Sequence, residues 1–392
     1  MSELRNPTSR DLRRANRAAV FRAVHRLGPA ASRSDVVELT GLSAATVSVV
    51  VGELTERGVL VRDTAGSGRA SGAGRPRERL RFDRDFGQLV GIDVAETYVH
   101  ARAFDLSLTP TASWSSDRGP DSVDELVEMC RAAVADLRGS DLLGVGVSLP
   151  GLVDVAEGRL VRSPDGRVRD VAVAAPLAAG LALPTVHVDN PLRASVLAEL
   201  WAGAGRSEPD LAVLTFGTGV GAGLSVDGVL RRGVTDLAGE WGHLPLLDPA
   251  RTCRCGRTGC LEAYLGAPGI LTTLAERGAS VTETQTDAIA AFAADIDAGD
   301  PAARGALADI AEQLAVGLVV LRMLLDPARV VAAGWVADAL GDRLLEPALD
   351  RAAPRMLRPL PDGWLQRSEL GDGQVTLGAA ALALDDAVDR LV

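Results

Sequence analysis

The chain has 392 residues, too many for one ordinary domain, so we expect two or three. With 47% hydrophobic and 24% charged residues and a mean hydropathy of +0.14, it has the composition of a globular protein, which excludes wholesale disorder. The longest uncharged run, residues 171–188, contains two prolines and a glycine and therefore predicts no membrane span. Because the N-terminus lacks a secretory signal, we expect a cytoplasmic protein whose four cysteines stay reduced.

The net charge of −11 is unevenly distributed along the chain. Residues 1–86 hold 16 arginines against 10 acidic residues, and the remainder of the chain carries a charge of −17. All 41 basic residues are arginine. A basic segment attached to an acidic protein suggests that only this segment meets a polyanion, although composition alone equally allows a solvated basic tail.

The N-terminal segment has the pattern of three short helices. Apolar residues recur at helical spacing over residues 16–27. Ser32 and Ser43 are placed to cap a second and a third helix, with Gly41 in the turn between them. Two helices joined by a short glycine-containing turn predict a helix-turn-helix unit.

A hairpin is predicted directly after the third helix. Residues 59–61 and 80–82 read as two strands, and a glycine-rich basic loop joins them, so together they would form a wing. The leading end of the third helix fits a major groove, and the wing arginines suit a minor groove. The predicted DNA contacts are Arg33, Ser43, Ala44, Ala45, Thr46, Ser48, Arg75 and Arg77. A three-helix interaction domain without a DNA role is the alternative, which the basic charge disfavours.

The remaining 300 residues alternate strands with helices. Buried strands are predicted around residues 89–94, 143–149 and 211–216, and helical patterns run over residues 122–137 and 302–325. This alternation predicts an α/β body, and its length suggests two lobes. The boundaries that we predict are 1–86 for the DNA-binding domain and 87–392 for the body, divided into lobes of about 87–188 with the C-terminal helix, and 189–374.

A metal-binding motif lies in the second lobe. His243 is followed by Cys253, Cys255 and Cys260, and three thiols within eight residues beside a histidine suit tetrahedral zinc. Four protein ligands imply a structural site. Glu240 and Glu262 flank this motif, where the metal would hold them at a fixed separation in a cleft suited to sugar hydroxyls. Spacing alone leaves open that both are surface acids.

These motifs together resemble those of the ROK family (repressor, open reading frame, kinase), in its repressor branch. The resemblance covers nearly the whole chain: the helix-turn-helix, the Gly-Arg-Pro of the wing, the Glu-Trp-Gly-His motif and the cysteine loop. It implies an actin-like, two-lobed, sugar-kinase-like body with structural zinc. It also implies that Asn190, Glu240, His243 and Glu262 contact a sugar, so that His243 would serve sugar and zinc with one ring nitrogen each.

Two departures from the family pattern bear on catalysis. Family kinases carry an Asn-Asp pair whose aspartate is the general base, and this chain has Pro191 after Asn190. Asp189 is expected on the opposite face of its strand, as a poor substitute. Residues 95–97 read Ala-Glu-Thr where family kinases have Gly-Gly-Thr for phosphate, whereas the glycine-rich turn at 217–221 is intact.

The sequence therefore predicts a sugar-responsive repressor without kinase activity that binds operator DNA as a homodimer or a tetramer. Two alternatives stay open. One is an ATP-dependent sugar kinase with a DNA-binding appendage, which the proline at position 191 disfavours. The other is a regulator of the same family whose effector is not a sugar.

Overall fold

A computed structural model describes residues 8–63, 78–139, 141–164, 166–279 and 284–391. Three helices and a hairpin form the N-terminal segment: α1 (Ser9–Leu27), α2 (Arg33–Thr40), α3 (Ala44–Glu56), β1 (Leu60–Asp63) and β2 (Arg79–Phe82). The first helix starts seven residues earlier than its apolar stripe indicated, because Thr8 and Asp11 form a capping box. Ser32 and Ser43 cap α2 and α3 as predicted. The strands β1 and β2 pair antiparallel, and the loop carrying Arg75 and Arg77 lies outside the described residues.

The first lobe is built on a five-stranded mixed sheet. Its elements are β3 (Gln88–Val94), β4 (Val99–Phe104), β5 (Pro110–Ser116), α4 (Val123–Leu137), β6 (Leu142–Ser148), β7 (Leu152–Asp154), β8 (Arg159–Arg162), β9 (Arg169–Ala172), α5 (Ala174–Leu181) and β10 (His187–Asp189). The strand order is β10-β6-β3-β4-β5, and β7 to β9 form a separate small sheet. Cys130 lies in the core on α4, as predicted, and burial raises the pKa of its thiol to about 12.

The second lobe repeats this topology. It follows α6 (Pro191–Ala202) and comprises β11 (Leu211–Phe216), β12 (Val220–Val226), β13 (Val229–Leu230), α7 (Glu262–Leu265), α8 (Ala267–Glu276), α9 (Gln285–Ala298), α10 (Pro301–Leu325), β14 (Arg329–Ala333), α11 (Trp335–Leu340), α12 (Asp342–Ala352) and β15 (Leu365–Arg367). Each sheet starts with a three-stranded antiparallel meander and adds two parallel strands beside the first strand. The last helix, α13 (Gln374–Leu391), returns to pack on β3 and β6.

The hydrophobic core is continuous between the N-terminal helices and the first lobe. Phe21 of α1 and Leu80 of β2 belong to one buried cluster with Leu89 of β3, Leu106 and Leu384 of α13. The predicted domain boundary at residue 86 stays a prediction, but packing does not stop there. Among the described residues, no helix combines the length and the apolar character that a membrane crossing needs.

Candidate functional site

The predicted metal ligands come together in one cluster. His243 ends a short 3-10 turn, and the three cysteines lie in a tight loop in which the backbone N–H of Cys253 donates to the carbonyl of Arg257. The ligand atoms of His243, Cys253, Cys255 and Cys260 all lie within 4.8 Å of one another. The loop can close because Gly256 and Gly259 adopt positive φ angles of 89° and 74°. The cluster could hold a metal ion.

His243 presents its two ring nitrogens to different partners. Nδ1 lies 3.6 Å from Sγ of Cys253, and Nε2 lies 3.8 Å from a carboxylate oxygen of Glu240. The imidazole therefore stands between the cysteine cluster and this carboxylate. Burial raises the pKa of Glu240 above its ordinary value. The nearby charges of His243 and Arg193 act in the opposite direction and offset part of this increase. This geometry is compatible with the expected roles of His243, one ring nitrogen for the metal and the other for a sugar.

Glu262 joins the cysteine loop to the glycine-rich turn. It begins α7 and is buried; Oε1 lies 3.3 Å from Sγ of Cys253, and Oε2 accepts a hydrogen bond of 3.1 Å from the N–H of Val220. A Cβ atom at Gly219 would lie 2.9 Å from this carboxylate, so a side chain there would force Glu262 to shift. The glycine-rich turn thus accommodates the Glu262 carboxylate.

The segment that carries the expected sugar contact Asn190 lies at the carboxyl end of β10. Asn190 caps α6 by accepting a hydrogen bond of 3.0 Å from the N–H of Arg193, and Pro191 takes the first helical position, where a missing N–H costs nothing. Asp189 is fully buried. Its oxygens accept from the guanidinium groups of Arg193 at 2.8 Å and Arg232 at 2.7 Å and from the Asn190 N–H. Asp189 is therefore held in ion pairs.

The sequence pattern did not indicate the buried arginine. Arg193 is 1% exposed, and it contacts Asp189 of the first lobe as well as the Asp236 carboxylate, 3.2 Å away, in the loop that leads to Glu240. The spacing of four residues between Asp189 and Arg193 on a helix start was the available signal. Asp236 could not be found in this way, because it lies 43 residues further along the chain.

Residues 95–97, which depart from the phosphate loop of family kinases, form a closed turn in the first lobe. The N–H of Ala95 donates to the carbonyl of Tyr98, which makes a tight turn after β3. The Tyr98 hydroxyl donates to Asp93 at 3.1 Å, and burial raises the pKa of Asp93 to about 6. A Cβ atom at Gly119 would lie only 2.2 Å from the carbonyl oxygen of Ala95, so a neighbouring segment covers the turn. This part of the cleft offers no open glycine loop.

Most of the described DNA-contact candidates lie at the start of α3, and Arg33 lies at the start of α2. Ser43, Ala44, Ala45 and Ser48 are exposed, and the hydroxyls of Ser43 and Thr46 are 2.9 Å apart. Val49, exposed to 61% on the next position of α3, was not among the candidates. Its exposure on a helix with a fully buried opposite side could have suggested it.

The structure places Arg33 differently from the expectation of a free phosphate clamp. Its guanidinium pairs with the Glu78 carboxylate at 2.9 Å, and Glu78 also lies 3.5 Å from the Nε atom of Arg62. The reason is that Glu78 precedes β2, and the pairing of β1 with β2 brings it beside the start of α2. Arg33 can reach a phosphate only by giving up or sharing this partner.

Comparisons with known proteins agree on the family. The sequence profile of the ROK family matches residues 89–386. The xylose repressor of Caldicellulosiruptor bescii is 27% identical over 91% of this chain and 92% of its own length. A crystal structure of a ROK family transcriptional regulator, a homolog of the E. coli MLC protein, covers 97% of this chain and 98% of its own with a TM-score of 0.77 at 24% identity.

A kinase of the same fold matches a smaller share of the chain. The ROK family glucokinase from Streptomyces griseus, solved with glucose and AMPPNP, covers 75% of this chain and 98% of its own, with a TM-score of 0.65 at 25% identity. The body therefore has the α/β sugar-kinase-like fold that the family resemblance implied, and its two large sheets are mixed.

Proposed function

The chain belongs to the ROK family, and from this premise we propose that it is a sugar-responsive transcriptional repressor without kinase activity. The match to a xylose repressor extends over 91% of the chain, so it includes most of the N-terminal segment. We assign residues 1–86 to a winged helix-turn-helix domain and the remainder to an effector-binding body. The protein would act in the cytoplasm as a homodimer or a tetramer on operator DNA.

The state of Asp189 carries the proposal that no phosphoryl group is transferred. A general base needs a free acceptor atom within reach of the substrate hydroxyl. Pro191 has no such atom, and the neighbouring Asp189 is buried with its oxygens bound by two arginines and one backbone N–H. Both oxygens of Asp189 already accept hydrogen bonds, from the Asn190 N–H and Arg193 on one side and from Arg232 on the other. The cleft can hold a sugar without activating its hydroxyl.

The effector would bind between Asn190, Glu240, His243 and Glu262. Carboxylates accept hydrogen bonds from sugar hydroxyls, and the Nε2 atom of His243 faces away from the cysteines. A few convergent polar groups at the carboxyl ends of strands are the usual construction of such a site. The xylose repressor relative makes a neutral sugar the first ligand to test.

Zinc is the metal that the cysteine cluster fits. Zn–S bonds of about 2.3 Å and Zn–N bonds of about 2.0 Å at tetrahedral angles would separate two sulfurs by about 3.8 Å and a sulfur from a nitrogen by about 3.6 Å. The Sγ atoms of Cys255 and Cys260 are 3.8 Å apart, and Cys253 Sγ lies 3.6 Å from His243 Nδ1. With four protein ligands the zinc would be structural and would orient His243 and Glu262 in the cleft.

On DNA, the exposed end of α3 would enter a major groove. Ser43, Ala44, Ala45, Thr46 and Ser48 would face the bases, with Arg33 at a phosphate and Arg75 and Arg77 of the wing in a minor groove. Serine and threonine hydroxyls bond either base edges or phosphates, so the wing arginines would contribute much of the affinity.

The test combines DNA selection with a sugar panel. Duplexes bound by the full chain are selected from a random pool, and operator affinity is measured with and without D-xylose, D-glucose and N-acetyl-D-glucosamine. We expect one sugar to change the affinity by about 5–150-fold. Glu262→Ala should abolish this response and leave sugar-free DNA binding intact, whereas the exposed control Glu346→Ala should respond normally. Failure to select any duplex would refute the repressor assignment.

A sugar kinase is the second candidate, supported by the likeness to the glucokinase and by the intact turn at residues 217–219. A coupled assay with ATP across the same sugars separates the two. Turnover on the order of 1 per second would establish the kinase. We expect no turnover above background.

A further inference from the structure

Helix α6 connects the proposed effector cleft to the DNA-binding segment. Asn190 caps its first turn in the cleft, and the 3-10 turn Ala204–Arg206 that follows its last residue contacts α1. With 12 residues the helix spans about 18 Å. One helix, with the turn that follows it, thus reaches from the proposed cleft to the first helix of the N-terminal segment.

The cleft end of α6 is held by charges from both lobes. Arg193, in its first turn, pairs with Asp189 of β10 at 2.8 Å and with the Asp236 carboxylate at 3.2 Å, and it also donates to the Asp236 carbonyl. Arg232, in the same loop as Asp236, reaches Asp189 at 2.7 Å. This loop leads directly to Glu240. Movement of Glu240 toward a ligand would therefore pull on Arg193.

The C-terminal end of α6 and the 3-10 turn that follows it contact the end of α1. The Arg206 guanidinium donates to the carbonyls of Arg26, at 2.6 Å, and His25, at 3.4 Å, and Arg26 donates back to the Arg206 carbonyl. The His25 ring meets the edge of Trp201 of α6, with centroids 4.6 Å apart and an interplanar angle of 87°. Gly28 allows this approach, because a Cβ atom there would lie 2.8 Å from Arg206.

Between its ends α6 is densely packed. Residues 193–199 are all buried, against α13 on one face and β12 on another. Gly378 of α13 and Gly223 of β12 have no room for a Cβ atom beside Ala194 and Val196. Glu199, also buried, ties the last turn to Ala204 and to Gln374. A densely packed helix transmits displacement along its axis and does not absorb it.

We propose that α6 is the coupling element of the protein: a ligand-driven shift of the loop around Asp236 displaces the helix through Arg193, and Trp201 and Arg206 pass the displacement to α1 and its DNA-reading partners. The inference rests on the proposed function for its ligands. The contacts along α6 exist whichever ligand binds. In this proposal Arg206 positions α1 relative to α6, and it lies outside both the effector site and the DNA-contacting surface. A second contact between α1 and the body, Arg22 with Asp385 of α13 at 3.1 Å, bypasses α6.

The first experiment needs no ligand. Hydrogen–deuterium exchange is compared for the full-length wild type, Arg206→Ala and Arg22→Ala. Arg206→Ala should raise the exchange of amides 193–196, about 18 Å away at the cleft end, as well as of the last turn of α1. Arg22→Ala should raise exchange only in α1 and α13. If the effect of Arg206→Ala stays within residues 198–208, α6 does not transmit and the proposal is wrong.

The second experiment measures coupling with the selected duplex and the active sugar of the panel. We expect Arg206→Ala to bind the duplex within threefold of wild type and the sugar normally, with the sugar-induced change in DNA affinity reduced to less than twofold. Arg206→Lys, which keeps the charge and one donor, should restore part of the response, and Arg22→Ala should keep all of it. Equal loss in both alanine variants would overturn the α6 route. Absence of any sugar or duplex binding by wild type would instead refute the proposed function, and the exchange data would still decide the inference.

Discussion

The cleft and the DNA-reading surface are built in opposite ways. In the proposed cleft, Asp189, Arg193 and Glu262 are buried and bound to partners from distant parts of the chain. On α3, the candidates Ala44, Ala45 and Ser48 are exposed. The difference teaches that the buried residues in and around the proposed cleft also hold the fold together, whereas the proposed DNA contacts are available for a partner. Substitutions should therefore cost stability in the first region and only affinity in the second.

Loss of the metal should destabilise the protein more than the other changes proposed below. Cys255→Ser removes one of four ligands, and we expect the zinc content to fall from one per chain to near zero and the free energy of unfolding to drop by roughly 4 kcal/mol or more. Elemental analysis of protein purified without chelator and thermal unfolding measure both effects. Cys130→Ser, which alters a buried thiol outside the cluster, should keep its metal. Metal-free wild-type protein would contradict the zinc assignment.

The buried ion pairs should be the next most sensitive feature. Arg193→Met leaves Asp189 inside the protein with one guanidinium fewer, and breaking such a pair costs about 3–5 kcal/mol. Arg343→Met removes an exposed pair with Asp297, which water screens, and should lower the free energy of unfolding far less than Arg193→Met. Denaturant unfolding of both variants gives the comparison. Similar decreases in the free energy of unfolding for the two variants would mean that burial does not determine how strongly these ion pairs stabilise the protein.

The junction between the two regions should show a pH dependence of intermediate size. Burial, with a further contribution from Arg206, lowers the pKa of His25 from 6.5 to about 3. Below pH 6.5, His25 binds a proton in the unfolded chain but stays neutral in the folded protein. The free energy of unfolding therefore decreases as the pH falls toward 3. Between pH 7.5 and pH 5 this loss amounts to about 2 kcal/mol. The His25→Leu variant should lack this part of the loss in unfolding free energy. Denaturant unfolding of the wild type and the variant at pH 7.5 and pH 5 measures the difference, and equal losses in the two proteins would contradict the prediction.

The wing should show the smallest effect on stability and a clear effect on binding. We expect Arg75→Ala with Arg77→Ala to change the free energy of unfolding by less than about 0.5 kcal/mol. Operator affinity should fall, and its salt dependence should decrease by about one unit of slope for each lost phosphate contact. Titrations at several salt concentrations test this. An unchanged affinity and slope would mean that the wing does not touch DNA.

Local features of the fold could be predicted from the sequence because their causes lie within a few residues. Ser32 and Ser43 cap helices through hydrogen bonds to N–H groups three residues away. The cysteine loop is predictable for the same reason, since His243 and Cys260 are close in sequence and thiols in a reduced protein have few other uses. The strand–helix alternation likewise indicated the α/β body, and the family motifs indicated its two lobes.

Only the tertiary structure decided which charges are neutralised and which element joins the two functional regions. Arg193 meets Asp236 across 43 residues, Arg206 meets Arg26 across 180, and Glu199 meets Gln374 across 175. Arg33, predicted to contact a phosphate, pairs with Glu78, which the pairing of β1 with β2 brings beside the start of α2. Local sequence cannot specify such contacts, because chain folding brings the partners together and burial then determines how strongly their charges interact.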